Sequence, residues 1–288
     1  MHQSNVVNKA AVLLLMAGLF IGCSKTVTPT STTTTVTTPK MALGWISNYG
    51  GQAILLSDPA PDTALSNVSL NWGGSKTSRT FQYKTYYSGY IVLEWEPDTT
   101  WFVSYPYYHD FSDTVLTVSF ASNIGNSQGS IQLPGATYII TPVYDDTLPI
   151  TAATCIWSKP ARADWYSVYY HFDAYDSLGN YLSCMGSKET FTADTTYTIP
   201  ASYFSNAGAI YYQGYFDYYP CSGPKPQANI SGNMTGTIKG FLVGEGDGSW
   251  AYFYVDNPPK GIKTSTMKHE APSRQERMNK YLEAVTGQ

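Results

Sequence analysis

The stretch Thr154–Phe172, TCIWSKPARADWYSVYYHF, decides the fold that the sequence predicts. It holds two runs of β-branched and aromatic residues, TCIW and WYSVYYHF, on either side of a turn segment that contains a proline. Side chains alternate between the two faces of a strand, so Tyr166, Val168 and Tyr170 share one face of the second run. A strand with one such face predicts a sheet that packs on a core.

The rest of the chain is also typical of strands. Aromatic residues make up 15% of the sequence, and 25 of them are tyrosines, which favour strands over helices. Between residues 41 and 146, short apolar and aromatic runs alternate with turn segments rich in Gly, Pro, Asn and Asp. The runs are QAILL, NVSLNW, RTFQYKTYY, YIVLEWE, TWFVSYPYY, TVLTVSF and ATYIITPVY. We therefore predict an all-β protein of two tandem β-sandwich domains with a short C-terminal helix.

The second predicted sandwich resembles a fibronectin type III or immunoglobulin-like domain. Trp157 is followed three residues later by Pro160, as on the second strand of the fibronectin type III family, and the run from Tyr166 alternates as on its third strand. The family's Leu-x-Pro approach to the tyrosine corner is replaced here by IPASYFSNAGAIYY, residues 199–212. Domains of this kind are scaffolds, so the resemblance implies a fold but does not indicate whether the protein has an activity.

The N-terminus carries a leader that ends at a cysteine. From Ala10 to Ile21 the chain is uncharged and mostly apolar, which is typical of a signal peptide and too short to span a bilayer. FIGC, which ends at Cys23, resembles the lipobox of bacterial lipoproteins and implies that Cys23 is lipidated and anchors the protein to a membrane. Ser24, in place of a retaining aspartate, favours the outer membrane. The alternative is an ordinary secretory leader with an accidental cysteine.

These patterns divide the chain into five predicted segments. They are a signal peptide (1–22), the lipidated cysteine with a Thr/Pro-rich tether (23–40), a β-sandwich domain (41–147), a fibronectin type III-like β-sandwich domain (148–256), and a linker with an amphipathic helix (257–288). The tether has no large apolar residue and so cannot bury enough surface to fold. Triplets such as Asp113-Thr114-Val115 resemble the O-glycosylation acceptor of Bacteroidota, which implies an origin in that phylum.

The C-terminal helix has clear sequence signals. Ser273 and Glu276 form a capping-box pattern, and Gly287 follows the last apolar residue. The apolar residues lie at i, i+3, i+4 and i+7: Met278, Tyr281, Leu282 and Val285. A lone helix of this length is marginal in water, so we expect it either to dock on its own chain or to stay disordered until it binds a partner.

Cysteine, histidine and acidic residues give few signals of chemistry. With Cys23 acylated, Cys155, Cys184 and Cys221 remain, and the odd number leaves at least one thiol free. The immunoglobulin resemblance implies a bridge between Cys155 and Cys221, and a bridge between Cys184 and Cys221 stays open as well. No CxxC or HxxxH spacing occurs, so we predict no metal site and no cofactor.

Two pairs of polar residues remain as candidates. His171 and Asp173 share the outward face of a strand, where they are either a ligand pair or a solvated surface pair. Glu94 and Glu96 share a strand face at about 6 to 7 Å, near the separation of glycosidase carboxylates, but adjacent acids on a strand are common. No catalytic residue is predicted.

The outward aromatic residues give the leading functional hypothesis. The candidate ligand-binding set is Trp165, Tyr169, His171, Asp173 and Tyr175. Exposed aromatic rings can stack on sugars or on protein partners. With a formal net charge of −4, the chain lacks the basic surface that a nucleic-acid partner needs. We predict a lipid-anchored, non-catalytic binding or adhesion protein, with glycan as the leading ligand class and another envelope protein as the other candidate partner. The alternatives are an assembly subunit of the envelope or of a fimbria-like structure and, third, a glycoside hydrolase.

Overall fold

The computed structural model describes residues 41–48, 50–56, 67–72, 75–79, 84–85, 90–93, 115–122, 125–260 and 269–287. All of them fall within one unit, Thr38–Gln288. The predicted leader, Cys23 and the tether lie outside the described residues, and so do Glu94 and Glu96. In the described part of the chain, no helix has both the length and the apolar character needed to cross a membrane.

The described chain is mostly β-strand with one short C-terminal helix, which confirms the predicted all-β, sandwich-like fold. The helix is α1 (Arg274–Thr286). The strands are β1 (Met41–Ser47), β2 (Gly50–Leu56), β3 (Asn67–Trp72), β4 (Ser75–Arg79), β5 (Lys84–Thr85), β6 (Tyr90–Leu93), β7 (Leu116–Ser122), β8 (Gly125–Ile131), β9 (Ile139–Thr141), β10 (Asp146–Leu148), β11 (Thr154–Trp157), β12 (Trp165–Tyr175), β13 (Tyr181–Thr192), β14 (Thr196–Thr198), β15 (Tyr211–Ser222), β16 (Thr235–Gly236), β17 (Lys239–Glu245) and β18 (Ser249–Val255).

The largest sheet has ten strands and joins both ends of the described chain. Its main order is β10-β18-β15-β17-β1-β2-β6-β5, and β12 lies between β15 and β13. Strand β1 runs parallel to β17, from Met41 opposite Lys239 to Ser47 opposite Glu245. A strand from the first predicted domain therefore lies beside a strand from the second, and the boundary at residues 147 and 148 stays a prediction.

Two smaller sheets complete the described part of the fold, and one of them contributes to a core on the ten-stranded sheet. Their strand orders are β14-β11-β9 and β16-β8-β7-β3-β4. Trp157 of β11 stacks on Tyr218 of β15, with 4.7 Å between ring centroids, and meets Tyr166 of β12 edge-on at 5.2 Å. Tyr166, Val168 and Tyr170 are all buried in this core, which confirms the predicted inward face of β12.

A second core lies on the opposite face, under α1. Met278, Tyr281 and Val285 of the helix are buried there against a group that includes Trp45 of β1 and Trp165 of β12. The apolar face predicted for the helix is therefore the face that packs against the sheet. Of the two expectations for this helix, docking on its own chain is the one confirmed.

Both ends of α1 are capped as the sequence predicted. The Ser273 hydroxyl accepts a hydrogen bond from the Glu276 N–H (3.2 Å), and the Glu276 carboxylate accepts one from the Ser273 N–H (2.7 Å). At the other end Gly287 has a positive φ of 73°, and its N–H donates to the carbonyl of Glu283. Local chemistry therefore sets the limits of the helix, since each cap satisfies backbone groups that the helix leaves unpaired.

The three described cysteines are free thiols. Cys155 lies in the core that contains Trp157, and Cys221 lies in the core under α1. These cores occupy opposite faces of the ten-stranded sheet, so the bridge implied by the immunoglobulin resemblance is absent. Cys184 is exposed on β13, and the bridge between it and Cys221 is absent as well.

Candidate functional site

Strand β12 carries the predicted ligand-binding residues, but two of them do not reach solvent. Trp165 is fully buried, because Trp45 of β1 and Tyr281 of α1 lie against it, with ring centroids at 6.2 and 5.8 Å. Tyr175 is also buried and stacks on Tyr211 of β15 at 5.2 Å. The expected outward exposure is therefore wrong at these two positions, since other parts of the chain cover that face.

Tyr169, His171 and Asp173 keep part of their surface exposed. The Tyr169 hydroxyl donates to Ser187 Oγ on β13 at 2.6 Å, and His171 Nδ1 lies 3.0 Å from the same oxygen. Both rings also stack on Tyr215 of β15, at 6.1 and 5.6 Å between centroids. The structure therefore brings these predicted residues together and fixes two of their side chains through shared partners.

A cleft of about 350 Å³ opens beside Tyr169, between β12, β13 and α1. Glu276, Asn279 and Glu283 lie three to four residues apart, so they share the face of the helix that lines it. The complete lining consists of Tyr169, Ser187, Lys188 and Glu189 from the sheet, and of Pro272, Glu276, Asn279, Lys280 and Glu283 from the helix and the residue before its cap.

The charges of the cleft are mixed. Glu189 accepts a hydrogen bond from Ser167 Oγ at 2.9 Å. Burial raises the pKa of the Glu189 carboxyl, although this hydrogen bond and the charges of Arg277 and Lys280 act in the opposite direction. Lys280 Nζ pairs with Glu283 Oε2 at 2.7 Å. Carboxylates, ammonium groups, an amide and hydroxyls therefore line one space, which suits a ligand rich in hydroxyl groups better than an anion or a lipid tail.

A histidine–aspartate pair lies on the same face of the sheet but outside the cleft. His269 Nε2 is 2.8 Å from Asp217 Oδ1, and the His269 ring stacks on Trp250 at 4.3 Å between centroids. Burial raises the pKa of Asp217 to about 6, although the charge and hydrogen bond of His269 lower it. Trp250 is 44% exposed and meets Tyr144 edge-on.

The sequence did not show which residues would surround Tyr169. Helical spacing already places Glu276, Asn279 and Glu283 on one face, but nothing local indicates which strands that face would meet. The sequence indicates Cys184 only as a possible disulfide partner, because its approach to His171 depends on the pairing of β12 with β13.

Compared with models of known protein families, the chain matches none, and it matches no curated protein.

Proposed function

We propose that this protein is a non-catalytic binding protein for a carbohydrate, which is held in the cleft between β12, β13 and α1. The observation that carries the proposal is the position of Tyr169, a partly exposed aromatic ring in the wall of a cleft whose other lining residues, apart from Pro272, are polar. A sugar ring has apolar C–H faces and a rim of hydroxyl groups. It is therefore complementary to an aromatic ring surrounded by hydrogen-bonding side chains.

Size and charge support the same class of ligand. A volume of about 350 Å³ lies at the lower end of the range for ligand pockets, which is about 300 to 1,000 Å³ and accommodates a monosaccharide or the end of a longer glycan. Glu276 and Asn279 offer acceptors and donors on the helix side, and Lys188 and Glu189 do so on the sheet side. Both signs of charge are present, from Lys188 and Lys280 and from three glutamates, so the lining does not favour a strongly charged ligand over a neutral one.

The proposal includes the membrane anchor inferred from the sequence. FIGC and the Thr/Pro-rich segment that follows Cys23 support a lipid-anchored protein whose tether holds the binding domain away from the membrane. The anchor would keep the cleft at the cell envelope, where glycans are abundant.

The alternative of an assembly subunit that recruits partners through its terminal helix has less support. The apolar residues Met278, Tyr281 and Val285 are already buried in the core of the same chain. A partner could take them only by displacing the helix from that core.

A glycan array probed with the full-length chain tests the proposal. We expect at least one glycan to be retained, and Tyr169→Ala to weaken its binding about tenfold, the effect of losing one aromatic stacking contact and the area it buries. Asn279→Ala should also weaken binding, because it removes a hydrogen-bonding group from the other wall of the cleft.

The matched control is Tyr138→Ala. Tyr138 is 66% exposed and does not line the cleft, so this variant should bind like the parent. The proposal fails if no glycan is retained, or if Tyr169→Ala binds as well as Tyr138→Ala while both variants stay folded by circular dichroism.

A further inference from the structure

His171, Asp173 and Cys184 bring three different metal-ligand atoms together on β12 and β13. The histidine nitrogen, carboxylate oxygen and thiol sulfur all lie within 4.8 Å of one another. His171 Nε2 is 3.7 Å from Asp173 Oδ1 and 3.6 Å from Cys184 Sγ. We propose that these three side chains form a binding site for a divalent transition-metal ion, zinc in the first place. This site is independent of the carbohydrate proposal.

The distances agree with tetrahedral zinc coordination. Bonds of about 2.0 Å to nitrogen and about 2.3 Å to sulfur, at tetrahedral angles, place those two atoms about 3.6 Å apart. Nitrogen and oxygen ligands of the same ion lie about 3.3 Å apart. The His171–Cys184 distance therefore already fits, and the His171–Asp173 distance of 3.7 Å exceeds the ideal value by only a few tenths of an ångström.

The ligand types favour zinc over the hard cations. Calcium and magnesium prefer six or more oxygen ligands, whereas zinc accepts nitrogen, oxygen and sulfur in one tetrahedral set. Three protein ligands leave the fourth position open to water or to a ligand atom. Cys184 is exposed, so an ion can reach the sulfur from solvent.

The surroundings hold His171 in the orientation that binding requires. Its Nδ1 lies 3.0 Å from Ser187 Oγ, which also accepts the hydrogen bond from Tyr169, and its ring stacks on Tyr215. A proton on Nδ1 that is donated to Ser187 leaves the lone pair of Nε2 free for a metal. Histidine ligands in metal sites commonly have such a second partner, which fixes the ring and its tautomer.

An irregularity in β13 shapes the site. The register between β12 and β13 shifts between His171 and Asp173, opposite the segment that contains Gly186. Gly186 has a φ of 75°, a left-handed conformation that glycine adopts at little cost, and its N–H donates to Cys184 Sγ at 3.2 Å. This backbone hydrogen bond also suits a thiolate ligand.

Metal titration of the full-length chain, with its thiols kept reduced, tests the site. We expect one zinc ion per chain by calorimetry and, with cobalt as the probe, a thiolate-to-metal charge-transfer absorption. Cys184→Ser should abolish that absorption, and Cys184→Ser, His171→Ala and Asp173→Asn should each weaken zinc binding at least tenfold.

Two controls separate this site from binding elsewhere. Cys23→Ser removes the cysteine that follows the signal peptide and should leave both zinc binding and the cobalt absorption unchanged. Urea unfolding of each variant shows whether it is folded. The proposal is overturned if the folded parent binds no zinc, or if Cys184→Ser and His171→Ala bind it as tightly as the parent. Loss of the cobalt absorption in Cys23→Ser, with its retention in Cys184→Ser, would also overturn it.

Discussion

Asp217 shows how one buried residue can make the stability of the whole molecule depend on pH. Its side chain is 3% exposed, and Oδ2 is buried without a hydrogen-bond partner, while Oδ1 meets His269. Burial raises the pKa of Asp217 to about 6, and it outweighs the neighbouring groups His269 and Arg277, which lower the pKa. The unfolded chain ionises this group near its ordinary value of 3.8, so the folded state holds the proton at higher pH.

Because the folded-state pKa is raised, the contribution of Asp217 to stability is fully present below pH 3.8 and is lost as the pH rises towards 6. Asp217→Asn removes this loss. We expect the free energy of unfolding of the variant, relative to the parent, to increase by about 2 kcal/mol between pH 4 and pH 7. Urea unfolding at both pH values measures it, with the exposed Asp194→Asn as the control. A difference that does not change with pH would contradict the prediction.

At the scale of elements, a buried ion pair attaches α1 to the ten-stranded sheet. Arg277 Nη2 and Nε donate to the two carboxylate oxygens of Glu245 on β17 at 2.7 and 2.9 Å, and Trp45 Nε1 donates to the same carboxylate at 2.9 Å. Arg277 also lies over the ring of Tyr219 and donates to the carbonyl of Pro272. Burial by itself would raise the pKa of Glu245, but the charge and hydrogen bonds of Arg277 outweigh burial and lower it.

Glu245→Gln leaves the Arg277 charge buried without its anionic partner, so we expect it to lower the free energy of unfolding by about 3 to 5 kcal/mol at pH 7. The matched control is Glu283→Gln, which breaks the exposed pair with Lys280 on the same helix and should cost less than about 1 kcal/mol. Both values come from urea denaturation. Equal losses in the two variants would mean that burial does not set the strength of the pair.

At the scale of the whole molecule, β12 and β15 have a packed core on each face. Cys155 lies in the core that contains Trp157, and Cys221 in the core under α1, so each thiol reports on a different core. The parallel pairing of β1 with β17 places a strand from the start of the described chain under the same helix. Shared strands couple the two cores, so we expect them to unfold together.

Variants that keep a single cysteine, either Cys155 or Cys221, test this coupling. Each buried thiol should react with a thiol reagent only on unfolding, and both should become reactive at the same urea concentration, together with the loss of the β-sheet circular dichroism signal. A variant that keeps only the exposed Cys184 should react without urea. Separate transitions for Cys155 and Cys221 would show that the cores unfold independently.

Much of the fold could be predicted because its signals are local. Alternation along β12 is a property of the extended backbone, so it identified the buried face that holds Tyr166 and Val168. The capping box at Ser273 and the glycine after the helix fixed both ends of α1 in the same way. Burial of the opposite face of β12 could not be predicted, because Trp165 is covered by residues distant in sequence, Trp45 and Tyr281.

The sequence by itself determined the all-β class, the inward face of β12 and the limits of the C-terminal helix, since neighbouring residues suffice for each. Only the tertiary structure decided what faces His171 and Asp173. If β12 and β13 paired regularly from Tyr175 opposite Tyr181, Ser183 would lie opposite Asp173. One irregularity moves Cys184 to that place, and a second puts Ser187 opposite His171. Register depends on backbone pairing along two whole strands, so the cleft and the proposed metal site exist only in the folded sheet.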